Sequence, residues 1–280
     1  MAWILIISSI PLVWIIFLCI HLLLPRVFFT KRFAQNGMLR FSFRLNFSLS
    51  LFLPQFASFS GRVFRKRNVL LVIAHPDDES MFFTPTINFL TSKGHNVHIL
   101  CLSIGDADGK GNIRKKELFQ ACVALKVPMQ QVKIFNHPDL QDGFGKVWNH
   151  SLMAKIIEEE TTSRCIDMII TFDNYGVSGH CNHRDVHYGV CMLLHDPQRD
   201  IEVWELVSTN ILRKYSGPVD IWLSVFMAML HSNGTVQCLV NEHSRRSFIA
   251  MAQHSSQWVW FRKLFVALSS YTYVNTLRKV

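Results

Sequence analysis

The chain has 280 residues, of which 49% are apolar and 18% charged, enough for one large domain or two small ones. Its formal net charge is +9, but nine basic side chains and no acid lie between Pro25 and Asn68, whereas residues 69–280 hold 20 basic and 20 acidic side chains. A general nucleic-acid binder carries its basic surface on the folded domain, so this distribution argues against that class of protein.

The first 24 residues predict a transmembrane anchor. Trp3 to Leu24 are 22 uncharged, mostly apolar positions, and a helix of that length spans about 33 Å, enough to cross a hydrocarbon core of roughly 30 Å. A secretory signal peptide is the alternative, but the segment lacks a basic residue before it and a small-residue cleavage site after it. Because the basic flank follows the segment, the positive-inside rule predicts a single-pass anchor with the rest of the chain in the cytosol.

Residues 25–67 predict a basic linker or a segment that lies in the membrane interface. The stretch from Phe41 to Phe59 alternates Phe and Leu with Ser, Arg and Asn, so its arginines can contact anionic lipid. An acid-poor composition rich in Arg and Ser is also found in transit peptides, but here a predicted spanning segment precedes it.

From Asn68 onward, strand-like and helix-like patterns alternate. This alternation predicts βαβ units in an α/β fold, with a three-layer, Rossmann-like and mainly parallel sheet across a domain of residues 68–280. The predicted strands are 68–74, 96–103, 131–136, 166–172 and 201–207, and the predicted helices are 78–92, 113–126, 151–162 and 183–195. After residue 208 the alternation weakens. There, residues 220–231 predict a core or an interfacial helix, and residues 258–280 a last core helix or a lipid-contacting surface.

An imidazole and three carboxylates follow the first predicted strand, in the segment AHPDDE at residues 74–79. Open α/β sheets build their functional sites at the carboxyl ends of strands. Adjacent carboxylates repel one another, and a bound divalent cation removes that repulsion. Acidic residues are also common at a solvated helix start. The preceding strand and Pro76 nevertheless favour a metal site with a spare carboxylate for proton transfer.

A second imidazole cluster follows the predicted strand 166–172 and a loop that contains two glycines. It includes His180, His183 and His187, so two strand ends in one sheet can bring imidazole and carboxylate to a single ion. That donor set suits zinc, and three protein ligands leave a position for water, whose pKa zinc lowers towards about 7. The spacing leaves two histidine pairs as candidates to face the metal. His180 and His183 are one helical turn apart, and His183 and His187 are four residues apart, a common spacing of zinc ligands.

Together the two clusters resemble the LmbE-like family of zinc-dependent deacetylases, which remove acetyl groups from N-acetylglucosamine units. The resemblance covers roughly residues 68–260 and rests on the segment 74–79 with Gly179-His180-x-x-His183. The branch of that family that acts on N-acetylglucosaminyl-phosphatidylinositol is more similar still, in the segments 70–74, 81–83, 114–118, 171–173, 177–179, 210–215 and 260–262. This chain has Cys181-Asn182 where the family often has Pro-Asp, a change that removes none of the predicted functional positions.

Carried over by position, the resemblance implies three metal ligands, His75, Asp78 and His183. It implies that Asp77 is the general base that activates the water, and that His180 stabilises the oxyanion or protonates the leaving amine. Arg114 is expected to contact the sugar or phosphate end of the substrate. Zn²⁺ is the expected metal, and the same ligands accept other divalent ions.

Three other residues near these motifs have less specific expectations. Glu79 is expected to start the following helix or to support a ligand through a hydrogen bond. His254 resembles a late family His-x-Ser-Gln element, whose role is structural or functional. Cys181 is not expected to bind the metal, because its side chain should point away from its histidine neighbours.

The resemblance implies a membrane-anchored hydrolase that deacetylates N-acetylglucosaminyl-phosphatidylinositol, an early step of GPI-anchor biosynthesis, with membrane lipids around it and no nucleic-acid partner. It also implies the endoplasmic reticulum membrane as the location. The seven cysteines form no Cys-x-x-Cys pair, which fits reduced thiols in a cytosolic domain. Two alternatives stay open, a deacetylase of a soluble N-acetylglucosaminyl conjugate and a non-catalytic membrane scaffold.

Overall fold

The computed structural model describes residues 66–143, 145–194, 201–231 and 234–280. The predicted anchor, residues 1–24, and nearly all of the predicted linker, residues 25–67, lie outside these ranges. Within them, no helix combines the length and the apolar character needed to cross a bilayer. The division of the chain at residues 24 and 67 therefore stays a prediction.

A seven-stranded sheet forms the centre of the described domain. Its strands are β1 (Asn68–Ile73), β2 (Asn96–Cys101), β3 (Val132–Ile134), β4 (Met168–Phe172), β5 (Glu202–Leu206), β6 (Val236–Val240) and β7 (Val274–Lys279). Their order across the sheet is β3-β2-β1-β4-β5-β7-β6. Strands β1 to β5 pair in parallel, and β7 runs antiparallel to both β5 and β6. The predicted α/β fold with a mainly parallel sheet is confirmed.

Helices connect the strands and follow the last parallel one. In the described residues they are α1 (Asp78–Met81), α2 (Thr84–Ser92), α3 (Gly111–Ala124), α4 (His150–Ser163), α5 (Gly176–Gly179), α6 (Cys181–Leu193), α7 (Ile211–Lys214), α8 (Asp220–Leu230), α9 (Ser244–Gln253) and α10 (Trp260–Leu268). Short 3₁₀ turns occur at Met129–Gln131, Gly217–Val219, Ser255–Gln257 and Ser270–Thr272.

The sheet is covered on both faces, which explains why its strands are apolar at nearly every position. In β1, Leu71 and Ile73 belong to an apolar cluster that also contains Leu118 of α3. Leu70 and Val72 point to the opposite face and join a second cluster that contains residues of α4 and α6. Successive side chains of a strand alternate between faces, so the two clusters define the three layers.

The structure differs from the sequence prediction in two places. The predicted helix 78–92 is two helices, because Pro85 lacks an N–H group and is tolerated only in a first helical turn. Strand β6 was not predicted, and residues 258–280, expected to form a last core helix or a lipid-contacting surface, contain helix α10 followed by strand β7, whose apolar pattern is interrupted by polar residues. One of these, Asn275, is buried and accepts a hydrogen bond from the Thr86 hydroxyl at 2.7 Å.

Strand β1 lies at the point where the order of the strands in the sheet changes direction. The chain passes from β1 to β2 and β3 on one side and then crosses to β4 on the other side. Loops at such a reversal leave a crevice at the carboxyl ends of the strands, where open α/β sheets bind ligands. The two motif-bearing loops follow β1 and β4, so both open onto this crevice.

Candidate metal and catalytic site

Asp78 joins the turn after β1 to the second histidine cluster. Its Oδ2 accepts hydrogen bonds from the backbone N–H groups of Ala74 (3.1 Å) and His75 (2.8 Å). Its Oδ1 lies 3.1 Å from Nε2 of His183. Burial by itself raises the pKa of Asp78, but the charge and hydrogen bond of His183 outweigh burial and hold that pKa below its ordinary value. Asp78 is thus an ionised oxygen donor beside two imidazoles.

Asp77 has a different environment although it is the next residue. Its backbone has φ 131° and ψ −21°, a conformation that costs a residue other than glycine about 1–3 kcal/mol and is concentrated at functional sites. Its carboxylate contacts the Arg262 guanidinium and lies 3.4 Å from Nη2 of Arg114. The two adjacent aspartates therefore have different partners, cationic guanidinium groups for Asp77 and imidazoles for Asp78.

Asp173 fixes the loop that follows β4. Its Oδ1 accepts hydrogen bonds from the N–H of Gly176 (3.0 Å) and the hydroxyl of Ser208 (2.6 Å), and its Oδ2 accepts one from the N–H of Ser208 (2.7 Å). Gly176 has φ +64°, and a Cβ at that position would lie 2.7 Å from the Cβ of His183. Glycine is required there, because any side chain would displace His183.

The ring of His183 is held in one orientation. It stacks on Phe172 with the ring centroids 4.2 Å apart and the planes 2° from parallel. Its Nδ1 lies 3.1 Å from the carbonyl oxygen of Gly176, and this geometry assigns the proton to Nδ1. Nε2 faces Oδ1 of Asp78, so it is the nitrogen that a metal ion beside Asp78 would engage. A backbone carbonyl on the remote nitrogen is the usual support of a metal-binding histidine.

Three imidazoles converge at the mouth of the crevice. Each of His75, His180 and His183 offers a nitrogen, and these nitrogens lie within 4.8 Å of one another. The ring centroids of His75 and His183 are 5.5 Å apart. Imidazole nitrogens beside a carboxylate oxygen are a donor set that zinc and similar divalent metals bind. The residues present therefore fit a divalent metal ion.

The geometry is compatible with two ligand sets, one with His180 and one without it. His180 precedes α6, and its Nδ1 accepts a hydrogen bond from the N–H of Asn182 (3.3 Å). Burial, followed by the positive charge of His183 and His75, lowers the pKa of His180 to about 4. The neutral ring carries its proton on Nε2, which can donate to an oxygen. The roles predicted for His75, Asp77, Asp78, His180 and His183 stay predictions.

The alternative histidine pair has no such geometry. Nδ1 of His187 lies 3.2 Å from the carbonyl oxygen of Phe172 and 3.3 Å from Oε2 of Glu205. Among the described residues, the cluster of potential ligands includes His180 and His183 but not His187. The thiol of Cys181 lies 3.8 Å from the carbonyl oxygen of Gly143 and is likewise not part of that cluster.

Asp142 contacts the site although the sequence analysis did not identify it. Its Oδ1 lies 3.1 Å from Nε2 of His75, and its Oδ2 lies 3.1 Å from Nη1 of Arg114. Burial by itself raises the pKa of Asp142, but the hydrogen bond and charge of His75, together with the charges of Arg114 and His180, outweigh burial and lower that pKa to about 2. Asp142 lies in the irregular loop after β3. In the sequence, Asp142 is recognisable only as an acidic residue that follows a strand, because no motif surrounds it.

Arg114 is buried beneath the site, with 7% of its surface exposed. Nη1 donates to the carbonyl oxygen of Gly105 (2.8 Å), and Nη2 donates to that of Pro76 (2.9 Å). The same guanidinium contacts Asp77 and Asp142. Arg114 thus holds two acids of the site, and its contact with substrate stays a prediction.

Glu79 and His254 form a buried pair that links the first motif to a distant part of the chain. Oε1 of Glu79 lies 2.6 Å from Nε2 of His254, and both side chains are fully buried. The next two residues, Ser255 and Ser256, donate to the carboxylate of Glu117 at 2.8 and 2.6 Å. In this structure the His-x-Ser-Gln element fastens α9 to α1 and α3.

The chain is similar to known proteins over most of its length. The family model PIG-L, described as GlcNAc-PI de-N-acetylase, matches residues 70–194. The N-acetylglucosaminyl-phosphatidylinositol de-N-acetylase of Bos taurus is 36% identical over 210 residues, which are 74% of this chain and 81% of the relative. The probable enzyme of the same name from Schizosaccharomyces pombe is 39% identical over 216 residues, 76% of this chain and 86% of the relative.

Solved structures are similar in fold. The N,N'-diacetylchitobiose deacetylase from Pyrococcus horikoshii superposes with a TM-score of 0.53 at 15% sequence identity. The match covers 76% of this chain and 84% of that protein. At this level of identity the likeness concerns the fold.

Proposed function

The chain belongs to the GlcNAc-PI de-N-acetylase (PIG-L) family, and from that premise we propose that it removes the acetyl group of N-acetylglucosaminyl-phosphatidylinositol, an early step of GPI-anchor biosynthesis. The observation that carries this proposal is the meeting of His75, Asp78 and His183 at the crevice between β1 and β4. Hydrolysis of an amide needs an electrophilic carbonyl, an activated water and a proton for the leaving amine, and this crevice has groups for each task.

We propose that His75, Asp78 and His183 hold a divalent metal, zinc being the best match to their donor atoms. When bound, such an ion acts as a Lewis acid towards the acetyl carbonyl and makes water more acidic. Asp77 receives the proton of the attacking water, because its carboxylate is adjacent to a proposed ligand but is not engaged by the imidazoles. The guanidinium groups of Arg114 and Arg262 contact the carboxylate of Asp77 and orient it.

His180, whose ring lies 5.0 Å from the rings of His75 and His183, is proposed to stabilise the oxyanion. The N–H at its Nε2 donates to the oxyanion as the carbonyl carbon becomes tetrahedral. Collapse then breaks the C–N bond, the proton that Asp77 took from the water passes to the departing nitrogen, and acetate and a free glucosamine amine result. Asp142 and Arg114 hold the imidazole of His75 and the carboxylate of Asp77 in place during these steps.

We also propose that residues 1–24 anchor the enzyme in the endoplasmic reticulum membrane with residues 68–280 in the cytosol. The proposal is supported by the uncharged segment from Trp3 to Leu24 and by the basic residues that follow it. A substrate with phosphatidylinositol acyl chains stays in the bilayer, so an anchored enzyme meets it at a higher effective concentration.

A deacetylation assay with and without a chelator tests the proposal. The purified full-length chain should release acetate from the lipid substrate, lose that activity with a chelator, and regain it when zinc is added back. Absence of acetate release from any N-acetylglucosaminyl conjugate, together with no stoichiometric metal after purification with zinc, would support the non-catalytic scaffold instead. Release from a soluble conjugate alone would support the other alternative.

A further inference from the structure

Helix α8 exposes apolar side chains along one side. Its buried side consists of Asp220, Ser224 and Ala228. The exposed side chains are Trp222, Leu223, Phe226, Met227, Met229 and Leu230. Trp222 has 61% of its surface exposed, and the helix has 11 residues, too few to span a bilayer. A soluble surface helix normally has polar residues on that side.

Helix α10 repeats the pattern. Its outward side carries Trp260, Phe261 and Leu264, and Trp260 has 72% of its surface exposed. Leu264 lies four residues after Trp260 and three after Phe261, so its side chain neighbours both of them on the surface of the helix. The short helix α7 adds exposed Ile211 and Leu212. We call these exposed side chains of α7, α8 and α10 the apolar face.

The parts of the apolar face are neighbours in the fold. Both α8 and α10 contact the 3₁₀ turn Gly217–Val219, and the ring of Tyr215, just before that turn, lies 6.2 Å from the ring of Phe265 in α10. Exposed apolar side chains gathered on neighbouring elements mark an interaction site for a protein or a membrane.

The apolar face also adjoins the candidate catalytic site. On the inner side of α10, Arg262 contacts the carboxylate of Asp77. One turn further, the ring of Phe265 lies 5.7 Å from that of Phe82, which lies 5.8 Å from the ring of His183. Helix α10 therefore separates the crevice from the apolar face by the width of one helix.

The charges around the apolar face suit an anionic surface. Between Ile211 and His231 there is one acid, Asp220, which is buried and hydrogen-bonded to Arg213 at 2.7 Å. From Trp258 to Val280 there is no acid at all, and Lys263 is exposed. Aromatic and aliphatic side chains with basic neighbours and without acids are typical of helices that lie in the plane of a membrane interface.

We propose that the apolar face docks on the surface of a lipid bilayer, with α8 and α10 inserted among the headgroups. The occupant is a membrane that contains anionic phospholipid. This inference rests on the proposed function, because it assigns the surface from which the crevice receives a substrate that stays in the bilayer. Contact through the apolar face presents the mouth of the crevice to the headgroup layer, so the sugar reaches the site while the acyl chains remain in the membrane.

The first test measures contact with lipid directly. The full-length chain is reconstituted into vesicles of phosphatidylcholine and phosphatidylinositol with brominated acyl chains, which quench nearby tryptophans. The double variant Trp222→Phe, Trp260→Phe keeps the apolar face but removes two fluorophores, so the quenched part of the emission should fall. Trp204→Phe is the matched control, because Trp204 is buried and should contribute nothing to quenching. Equal quenching in the wild type and the double variant would show that protein, not lipid, covers the helices, and would overturn the proposal.

The second test measures turnover. Trp222→Ser with Phe226→Ser should lower kcat/KM for vesicle-bound lipid substrate by about tenfold, since two large apolar side chains no longer enter the interface. The same variant should deacetylate a water-soluble head-group analogue at the wild-type rate, which also shows that it folds. Val123→Ser with Met129→Ser is the control, because these exposed apolar residues lie near β3, at the opposite edge of the sheet from β6.

The two tests separate the possible failures. Equal loss on lipid and on soluble substrate would contradict membrane docking, as would a change of oligomeric state in detergent with no change in lipid turnover. If the wild type deacetylates neither substrate, the proposed function fails, and the quenching experiment still decides whether the apolar face meets lipid.

Discussion

At the scale of single residues, the site separates two neighbouring aspartates. Asp78 faces imidazoles, and Asp77 faces guanidinium groups. The backbone of Asp77 has a positive φ of 131°, a strained conformation that is concentrated at functional sites. The proposed division of labour between ligand and base therefore rests on the different contacts of two adjacent side chains.

Replacing each aspartate in turn by asparagine should distinguish the proposed metal ligand from the proposed general base. We expect Asp77→Asn to keep its metal but to lose turnover by about 10²–10⁴-fold, the usual contribution of a general base. Asp78→Asn should lower metal content, because it removes a charged oxygen beside two imidazoles. Metal analysis and acetate release from the same preparations measure both effects. Asp108→Asn, at an exposed position, is the control that should change neither.

The opposite outcome is equally informative. If Asp77→Asn loses the metal and Asp78→Asn retains it, the roles of ligand and base have been assigned to the wrong aspartates.

At the scale of secondary-structure elements, a buried acid fastens α4 to the edge of the sheet. Glu160 of α4 accepts a hydrogen bond from Nζ of Lys133 in β3 at 2.6 Å and contacts the guanidinium of Arg164. Arg164 in turn reaches Nδ1 of His98 in β2 at 3.2 Å. Burial by itself raises the pKa of Glu160, but these hydrogen bonds outweigh burial and leave that pKa below its ordinary value.

Glu160→Gln should lower the free energy of unfolding near pH 7 by about 1–2 kcal/mol, because it weakens hydrogen bonds to two cationic side chains. A lowered folded-state pKa stabilises the fold above the ordinary glutamate value of 4.5, and the stabilisation is lost as the pH falls through the folded-state pKa. The difference in the free energy of unfolding between wild type and variant should therefore become smaller as the pH falls.

Denaturant unfolding of the full-length chain, measured in one detergent at several pH values, gives the difference in the free energy of unfolding between wild type and Glu160→Gln. Glu159→Gln is the matched control, since Glu159 is exposed on the same helix. Its replacement should lower the free energy of unfolding by less than about 0.5 kcal/mol. If the difference in unfolding free energy became larger at acidic pH, the pKa of Glu160 would not be lowered in the folded state, contrary to the assignment.

At the scale of the whole molecule, charge and apolarity are distributed unevenly along the chain. Residues 69–280 are electrically balanced, with 20 basic and 20 acidic side chains, whereas the segment before them carries the whole basic excess. The proposed anchor and the apolar face would act on the same bilayer, one by tethering the enzyme and the other by orienting its crevice. Tethering raises the effective concentration of a membrane-bound substrate without any change at the catalytic site.

Deletion of residues 1–24 should lower turnover of the lipid substrate far more than that of a water-soluble head-group analogue. The physical reason is the loss of effective concentration at the membrane, which the soluble analogue does not need. Assays on both substrates with the same truncated protein provide the measurement, and the soluble substrate serves as the internal control. Equal losses on the two substrates would argue that the segment serves the fold and not the encounter with lipid.

Much of this architecture was predictable because its signals are local. The strands β1 and β4 are apolar runs that end in histidine-bearing loops, so both motifs could be assigned to one edge of a parallel sheet. The break before α2 and the strands β6 and β7 were missed. Proline chemistry and buried polar side chains such as Asn275 do not follow the simple apolar period on which such predictions depend.

The sequence by itself determined that two histidine-bearing segments meet at one edge of a parallel sheet, because each segment follows an apolar strand. Only the tertiary structure decided how their side chains are paired. It put Asp142 against His75, engaged His187 with Glu205 outside the imidazole cluster, and set Arg262 against Asp77 from 185 positions along the chain. Contacts between remote segments depend on how layers pack and loops cross, and no local pattern of residues encodes that geometry.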